Sequence, residues 1–216
     1  MRLKKQDMLL YAVTDRSWNK GMSIYEQVEC ALKGGATIVQ LREKELSDEL
    51  FFREAVEIKA LCYSYNVPFI INDNVDIALK CGADGVHVGQ DDMPVCQIRS
   101  LAGDDFIIGT TAKTVLQAVK AEKDGADYLG VGAVFPSPTK ENAIRITKDT
   151  LLNICNSVKI PVAAIGGITS ENMNALAGSG ISGMALVSAI FAADDIESET
   201  AALKSKILQI IKAPYL

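Results

Sequence analysis

Short, almost uninterrupted apolar runs rich in β-branched residues recur along the whole chain, at residues 9–13, 38–41, 68–71, 85–88, 106–108, 128–131, 162–165 and 183–187. A strand with one face in water alternates apolar and polar residues. A run without alternation has both faces covered, the condition of a strand in a parallel sheet sheathed by helices. Stretches with apolar residues at i, i+3 and i+4 separate these runs, at 24–33, 48–65, 75–80, 114–124, 150–157, 172–177 and 197–211. Three junctions share a local text: Gly34-Gly35-Ala36-Thr37, Gly82-Ala83-Asp84-Gly85 and Gly125-Ala126-Asp127-Tyr128. Each reads as a glycine ending a helix, a tight loop, and the next strand. Eight strands alternating with helices over 216 residues, with no linker or composition break, predict one α/β domain spanning residues 1–216. The expected architecture is a single (β/α)8 TIM barrel near the lower size limit of that fold. An open doubly wound sheet is the alternative. Eight strands and the lack of a G-x-G-x-x-G turn weigh against it.

Composition narrows the function classes. A net charge of −5, from 22 basic and 27 acidic residues, argues against broad binding of nucleic acid or an anionic membrane. It leaves room for a local basic pocket. No apolar run approaches the length of a membrane span. The start, Met1-Arg2-Leu3-Lys4-Lys5 and an apolar run ended by Asp15 and Arg16, shows no cleavage-site pattern. The five cysteines form no C-x-x-C pair, so the expectation is buried thiols in a reducing cytosol and a soluble, cytoplasmic protein. His87 is the only histidine, which excludes a His-rich metal site, and with no nucleophilic elbow a Ser-His-Asp arrangement has no support. Inside a strand pattern, it is expected to be a buried structural residue bonded to the backbone.

In such barrels the chemistry lies just past the C-terminal strand ends, and polar residues do concentrate there. After the second strand, Gln40, Arg42 and Lys44 alternate in Gln40-Leu41-Arg42-Glu43-Lys44, so an extended segment puts two cations and an amide on one face. A ligand strip and a solvated charge cluster are equally compatible with this segment. Asn72-Asp73-Asn74 follows the third strand and Gly89-Gln90-Asp91-Asp92 the fourth. Both texts suit turns and helix caps. On adjacent strands, though, Asp73 and Asp92 also suit Mg2+, which takes one or two carboxylates plus phosphates and water. Past the fifth strand, Thr110 and Thr111 offer hydroxyls or cap the helix near Thr114. Past the sixth, Ser137-Pro138-Thr139-Lys140 gives a restrained loop with donors. Gly166-Gly167 after the seventh and Val187-Ser188 after the eighth together suit the phosphate site common in barrels.

These stretches, in this order from Tyr11-Ala12-Val13-Thr14-Asp15 to Val187-Ser188-Ala189-Ile190, resemble the thiamine phosphate synthase family. The family joins hydroxymethylpyrimidine diphosphate to a (carboxy)thiazole phosphate and releases pyrophosphate. The resemblance implies a Mg2+-dependent transferase acting on small phosphorylated molecules, with no nucleic-acid or membrane partner; a homo-oligomer is left open. It implies that Gln40, Leu41, Arg42, Glu43, Lys44, Asn72, Thr111 and Lys140 hold the pyrimidine diphosphate. Of these, Arg42, Lys44 and Lys140 serve the departing diphosphate. Ser137, Pro138, Thr139, Gly167, Val187 and Ser188 surround the thiazole phosphate, and Asp73 and Asp92 are the Mg2+ ligands. Three positions depart from the family pattern: Thr111 where serine is usual, Ser137 where threonine is common, and Lys113 where histidine is common. The related thiazole tautomerases are thought to need that histidine and tend to lose the paired aspartates, which this chain keeps. A tautomerase-type isomerase and a non-catalytic phosphate-sensing barrel are the alternatives.

Overall fold

The computed structural model describes residues 3–136 and 145–212. Eight parallel strands close in sequence order: β1 Leu10–Val13, β2 Ile38–Leu41, β3 Phe69–Asn72, β4 Gly85–Val88, β5 Ile107–Ala112, β6 Tyr128–Gly132, β7 Val162–Ile165 and β8 Gly183–Leu186. Around them run α1 Ile24–Lys33, α2 Asp48–Ser64, α3 Val75–Lys80, α4 Val95–Ala102, α5 Val115–Lys123, α6 Lys148–Ser157, α7 Ser188–Phe191 and α8 Ile196–Lys212. The expected (β/α)8 barrel is therefore present. Helices begin where their caps predict. Ser23 and Glu26 form a reciprocal capping box on α1, while Ser47, Asn74, Thr114 and Thr147 each accept a first-turn N–H.

Three local expectations change. The pattern at 172–177 is only a 3-10 turn, Met173–Leu176. Residues 95–102 form α4, which the sequence pattern hides because its N-cap is Pro94 and only Val95 and Ile98 are buried. β5 runs on through Ala112, so Thr110 and Thr111 belong to the strand and only Thr114 caps the following helix. The thiols also differ from expectation. All five are free, but only Cys62 is buried, where desolvation pushes its thiol up to about 12, and Cys96 is exposed.

The shared text at the junctions has a shared job. Thr37 Oγ1 accepts the Leu10 N–H at 2.9 Å, Asp84 Oδ2 accepts the Phe69 N–H at 2.8 Å, and Asp127 Oδ2 accepts the Ile108 N–H at 2.7 Å. In each case the residue entering one strand ties down the start of its neighbour. Lys59 and Arg99 in turn hold Asp84 and Asp127.

Two apolar clusters divide the interior, as strand alternation requires. Residues such as Val39, Leu41, Ile71 and Val86 pack outward against helices. Met8, Tyr11, Val13, Ile38, Ile70, Ile107, Tyr128, Ala163 and Ala185 fill the barrel. The register sets Gly109 beside Tyr128, and a Cβ on Gly109 would lie 2.0 Å from Tyr128 Cζ. The glycine is the space that the buried Tyr128 ring occupies. Gly109→Ala should therefore cost about 1–3 kcal/mol by overpacking, read as a lower urea midpoint at unchanged slope. An unshifted midpoint would refute this account of the core.

Candidate active site

Among the described residues, several charged groups at the mouth of the barrel are held by partners from neighbouring strand ends. Past β1, buried Thr14 accepts the Arg42 N–H on Oγ1 at 2.9 Å, and Asp15 Oδ2 binds Arg42 Nη1 at 2.7 Å. Arg16 reaches Glu43 through Nε and Nη2 at 3.2 and 2.9 Å, and both oxygens of Glu54 on α2 at 2.8 and 2.9 Å. Glu43 shows only 2% of its side chain to solvent. Burial raises its carboxyl, Arg16 pulls it back down, and the nearby Glu54 charge pushes it up. The Glu43 carboxylate is thus committed to the protein, and the Leu41 side chain is buried in the outer core. Past β2 and β3, Lys44 Nζ lies 2.5 Å from Asp73 Oδ2. Asn72 Nδ2 donates to Asp73 Oδ1, and the Asp73 N–H donates to the His87 carbonyl at 2.8 Å. Asp73 adopts φ +61°, a left-handed conformation uncommon outside glycine. Past β4, the Gly89 N–H donates to Asp92 Oδ2 at 2.7 Å.

Below this ring lies a buried polar layer. Gln40 Nε2 donates to Tyr11 Oη at 2.6 Å, and Tyr11 Oη meets Tyr128 Oη at 2.6 Å. His87 Nδ1 lies 3.1 Å from Tyr128 Oη and its Nε2 lies 3.1 Å from Thr111 Oγ1. His87 is buried as expected, but its imidazole bonds two side chains rather than the backbone. Burial pushes His87 down to about 4, against a smaller opposing pull from Asp92, and raises both phenols, so the layer carries no charge at neutral pH.

The expected cationic strip is therefore split. Gln40 belongs to the barrel interior, Arg42 is salt-bridged and half-buried, and Lys44 is about half exposed. On the far side, Gly166 and Gly167 have φ of +100° and +62°. A Cβ on Gly167 would lie 2.0 Å from the Pro136 carbonyl oxygen, and one on Gly166 would lie 2.6 Å from Ala133 Cβ. These glycines let the β7 turn lie directly on the segment after β6, a packing role separate from any ligand. Val187 and Ser188 sit at the start of α7. Ser137, Pro138, Thr139 and Lys140 lie outside the described residues. Sequence reasoning misses Asp15, Arg16 and Glu54. The first two follow β1 just as Arg42 and Lys44 follow β2, so the strand-end rule finds them, whereas no spacing points to Glu54.

Such a mouth defines a (β/α)8-barrel protein with its ionic groups gathered at the C-terminal strand ends. The chain belongs to the thiamine monophosphate synthase family, whose model matches residues 10–190. It is 46% identical over 209 residues to thiamine-phosphate synthase 2 of Streptococcus pneumoniae, covering 97% of this chain and 100% of that one. It is 48% identical over 206 residues to the thiamine-phosphate synthase of Ruminiclostridium cellulolyticum, covering 95% and 96%. Among solved structures, the thiamine phosphate pyrophosphorylase of Pyrococcus furiosus superposes with a TM-score of 0.88 at 36% identity, over 95% of this chain and 98% of that one. The tautomerase and phosphate-sensing alternatives gain no support from these relatives.

Removing Arg16 isolates the buried Glu43 charge. Arg16→Ala should cost about 2 kcal/mol at pH 7, the scale of an uncompensated buried polar group. The folded-state value of Glu43 already lies above its unfolded value of about 4.3, and the variant raises it further. A raised carboxyl loses stability as pH rises from the unfolded value through the folded one. The deficit should therefore shrink as pH falls toward 4. Urea unfolding of both proteins at pH 7 and 4.5 checks this, and an equal deficit at both would refute it.

Proposed function

We propose that this mouth joins hydroxymethylpyrimidine diphosphate to a thiazole phosphate and releases pyrophosphate, leaving thiamine phosphate. The observation that carries the reading is the Lys44–Asp73 pair, with 51% and 30% of the two side chains exposed. An exposed pair of this kind is worth about 0–1 kcal/mol, so opening it costs little. A diphosphate would take the ammonium, freeing the Asp73 carboxylate, which would then help hold a divalent cation. Arg42 is less free: its bond to Asp15 orients one edge of the guanidinium and leaves the rest for phosphate oxygens.

The donor set fits Mg2+. Asp73 and Asp92 are hard oxygen ligands already fixed by backbone and side-chain hydrogen bonds. Among the described residues no group of three or more acidic, histidine or cysteine side chains gathers by itself. Two carboxylates are what Mg2+ uses when phosphates and water complete its shell. When bound, Mg2+ would neutralise charge growing on the leaving group. In the reaction the bond between the exocyclic methylene and the diphosphate oxygen breaks, pyrophosphate departs with the electron pair, and the thiazole nitrogen bonds to the methylene. The electron-rich aminopyrimidine carries the developing positive charge. The protein's part is to hold both substrates in line and present the cations Arg42, Lys44 and Lys140 to the departing diphosphate. Little general-base work is needed, which agrees with a neutral, buried His87.

Gly167, Val187, Ser188 and the loop at 137–139 take the thiazole phosphate in this reading. Its partners are small phosphorylated molecules. No helix among the described residues is long and apolar enough to cross a membrane. Five free thiols suit the reducing cytoplasm.

Pyrophosphate release from purified protein should require both substrates and Mg2+; release without thiazole phosphate, or none at all, would overturn the reading. Lys44→Ala and Lys140→Ala should each lower kcat about 10²–10³-fold, and an unchanged kcat at saturation would remove that residue from the chemistry. Asp92→Asn keeps an oxygen for the Gly89 N–H, so thermal unfolding without metal should barely move. The Mg2+ concentration giving half-maximal turnover should rise steeply. Marked destabilisation, or an unaltered Mg2+ response, would sink the metal assignment.

A further inference from the structure

The buried polar layer is a single file of hydrogen bonds, and its protons can be counted. Tyr11 Oη has two partners, Gln40 Nε2 and Tyr128 Oη. Tyr128 Oη has Tyr11 and His87 Nδ1, and His87 Nε2 has Thr111 Oγ1. Each phenol carries one proton, and a neutral imidazole carries one on either nitrogen. With the Gln40 amide nitrogen facing Tyr11, the Tyr11 proton must go to Tyr128 and the Tyr128 proton to His87 Nδ1. His87 Nδ1 is then a bare acceptor, so Nε2 carries the proton and donates to Thr111. Thr111 receives a hydrogen bond and keeps its own proton for another acceptor. At the other end, Gln40 Oε1 takes no donor from the described residues, yet it is not sealed from solvent. Any order that makes Tyr11 or Tyr128 accept twice strands that phenol's own proton in the buried layer, and only one other order satisfies every link with no stranded proton. It needs the amide of Gln40 turned over and every proton in the file reversed, and it inverts the polarity at both ends together.

We propose that Tyr11, Tyr128 and His87 are positioning residues that lock an acceptor onto Gln40 and a donor onto Thr111, so the floor of the mouth selects an aminopyrimidine over its oxo counterpart. This rests on the reading that Gln40 and Thr111 hold the pyrimidine diphosphate. An amino group gives its N–H to Gln40 Oε1, and Thr111 gives its proton to an acceptor atom of the same substrate. An oxo group puts oxygen against oxygen at Gln40. Relieving that contact would mean turning the amide, and the file resists because any partial reversal either sets two donors or two acceptors face to face or strands a phenol proton in a buried layer. The amide is anchored through side chains from four other strands, and none of Tyr11, Tyr128 and His87 need touch the substrate.

The single histidine makes a direct test possible. The 15N spectrum of imidazole-labelled protein at neutral pH should show the Nε2–H tautomer with Nδ1 as a bare acceptor. An Nδ1–H tautomer would overturn the proposal. Tyr128→Phe keeps the ring over Gly109 and cuts the file in its middle. It should turn the tautomer into a mixture and raise KM for the pyrimidine diphosphate about tenfold, leaving KM for the thiazole phosphate unchanged. The ratio of inhibition constants for 4-oxo and 4-amino pyrimidine analogues should fall about tenfold. Equal damage to both substrates, or an unchanged inhibitor ratio, would mean the file only holds the fold. If Tyr128→Phe does not fold, Tyr11→Phe breaks the same file one link earlier and is read the same way. A parent protein without turnover would sink the proposed function, while the tautomer spectrum would still decide the proton order.

Discussion

An apolar barrel can bury Gln40, Tyr11, Tyr128 and His87 only if each polar atom finds a partner inside or, like Gln40 Oε1, an opening at the mouth. That demand orders much of the structure. The Tyr128 ring needs the space that Gly109 leaves, and His87 needs the space beside Gly130, where a Cβ would lie 3.0 Å from the imidazole. Tyr11 and Tyr128 then meet edge to face, with centroids 5.8 Å apart. The filling that closes the barrel is also the floor of the mouth. Large rings and absent side chains on facing strands therefore serve packing and ligand geometry at once.

Above that floor the ion pairs fall into two kinds. Arg16, Glu43 and Glu54 form a partly buried three-way contact, with Glu43 at its buried centre, that joins the ends of β1 and β2 to α2. It holds the segment carrying Arg42 and Lys44 without facing a ligand. Lys44 and Asp73 form the other kind, exposed and cheap to exchange. Asp15 and Arg42 lie between: the Asp15 side chain is mostly buried and the Arg42 side chain is 28% exposed. Rigidity at the base of a loop and exchangeability at its tip are what a site that swaps partners on binding requires.

Much of this is legible in the sequence because the barrel converts sequence position into spatial position. Once residues 38–41 and 69–72 are strands in sequence order, the segments past their ends are neighbours, so the strand-end rule finds both Lys44 and Asp73, while the ion pair between them appears only in the fold. The segment past β1 is equally informative, yet Asp15 and Arg16 look like a mere end to an apolar run. Thr111 reads as lying past its strand because β5 continues through two threonines, which are good strand formers and equally good caps. The partners of His87 are illegible for a different reason. They lie inside the barrel, where contacts run between strands far apart in sequence, 41 residues for Tyr128 and 24 for Thr111. Periodicity gives a residue's face, not the group standing opposite. The backs of Gly166 and Gly167 are hidden in the same way, since only the folded chain brings Ala133 and Pro136 against them.

The ties made by Thr37, Asp84 and Asp127 bear on how such a barrel assembles. Each joins the threshold of one strand to the start of its neighbour, across only 27, 15 and 19 residues of chain. Loop-closure entropy changes slowly over such lengths, by about 0.5 kcal/mol between the shortest and longest. Each βα unit therefore closes on itself at nearly the same entropic cost, before the ring as a whole exists. Among strand pairings, only the β1–β8 seam joins distant parts of the chain. Pairing between neighbouring strands is thus local everywhere but at that seam, although side chains inside the barrel, such as Tyr11 and Tyr128, still meet across long stretches of chain; local pairing of this kind favours rapid, stepwise growth of the sheet. The side chains repeated in the sequence act as latches of folding as well as parts of the finished wall.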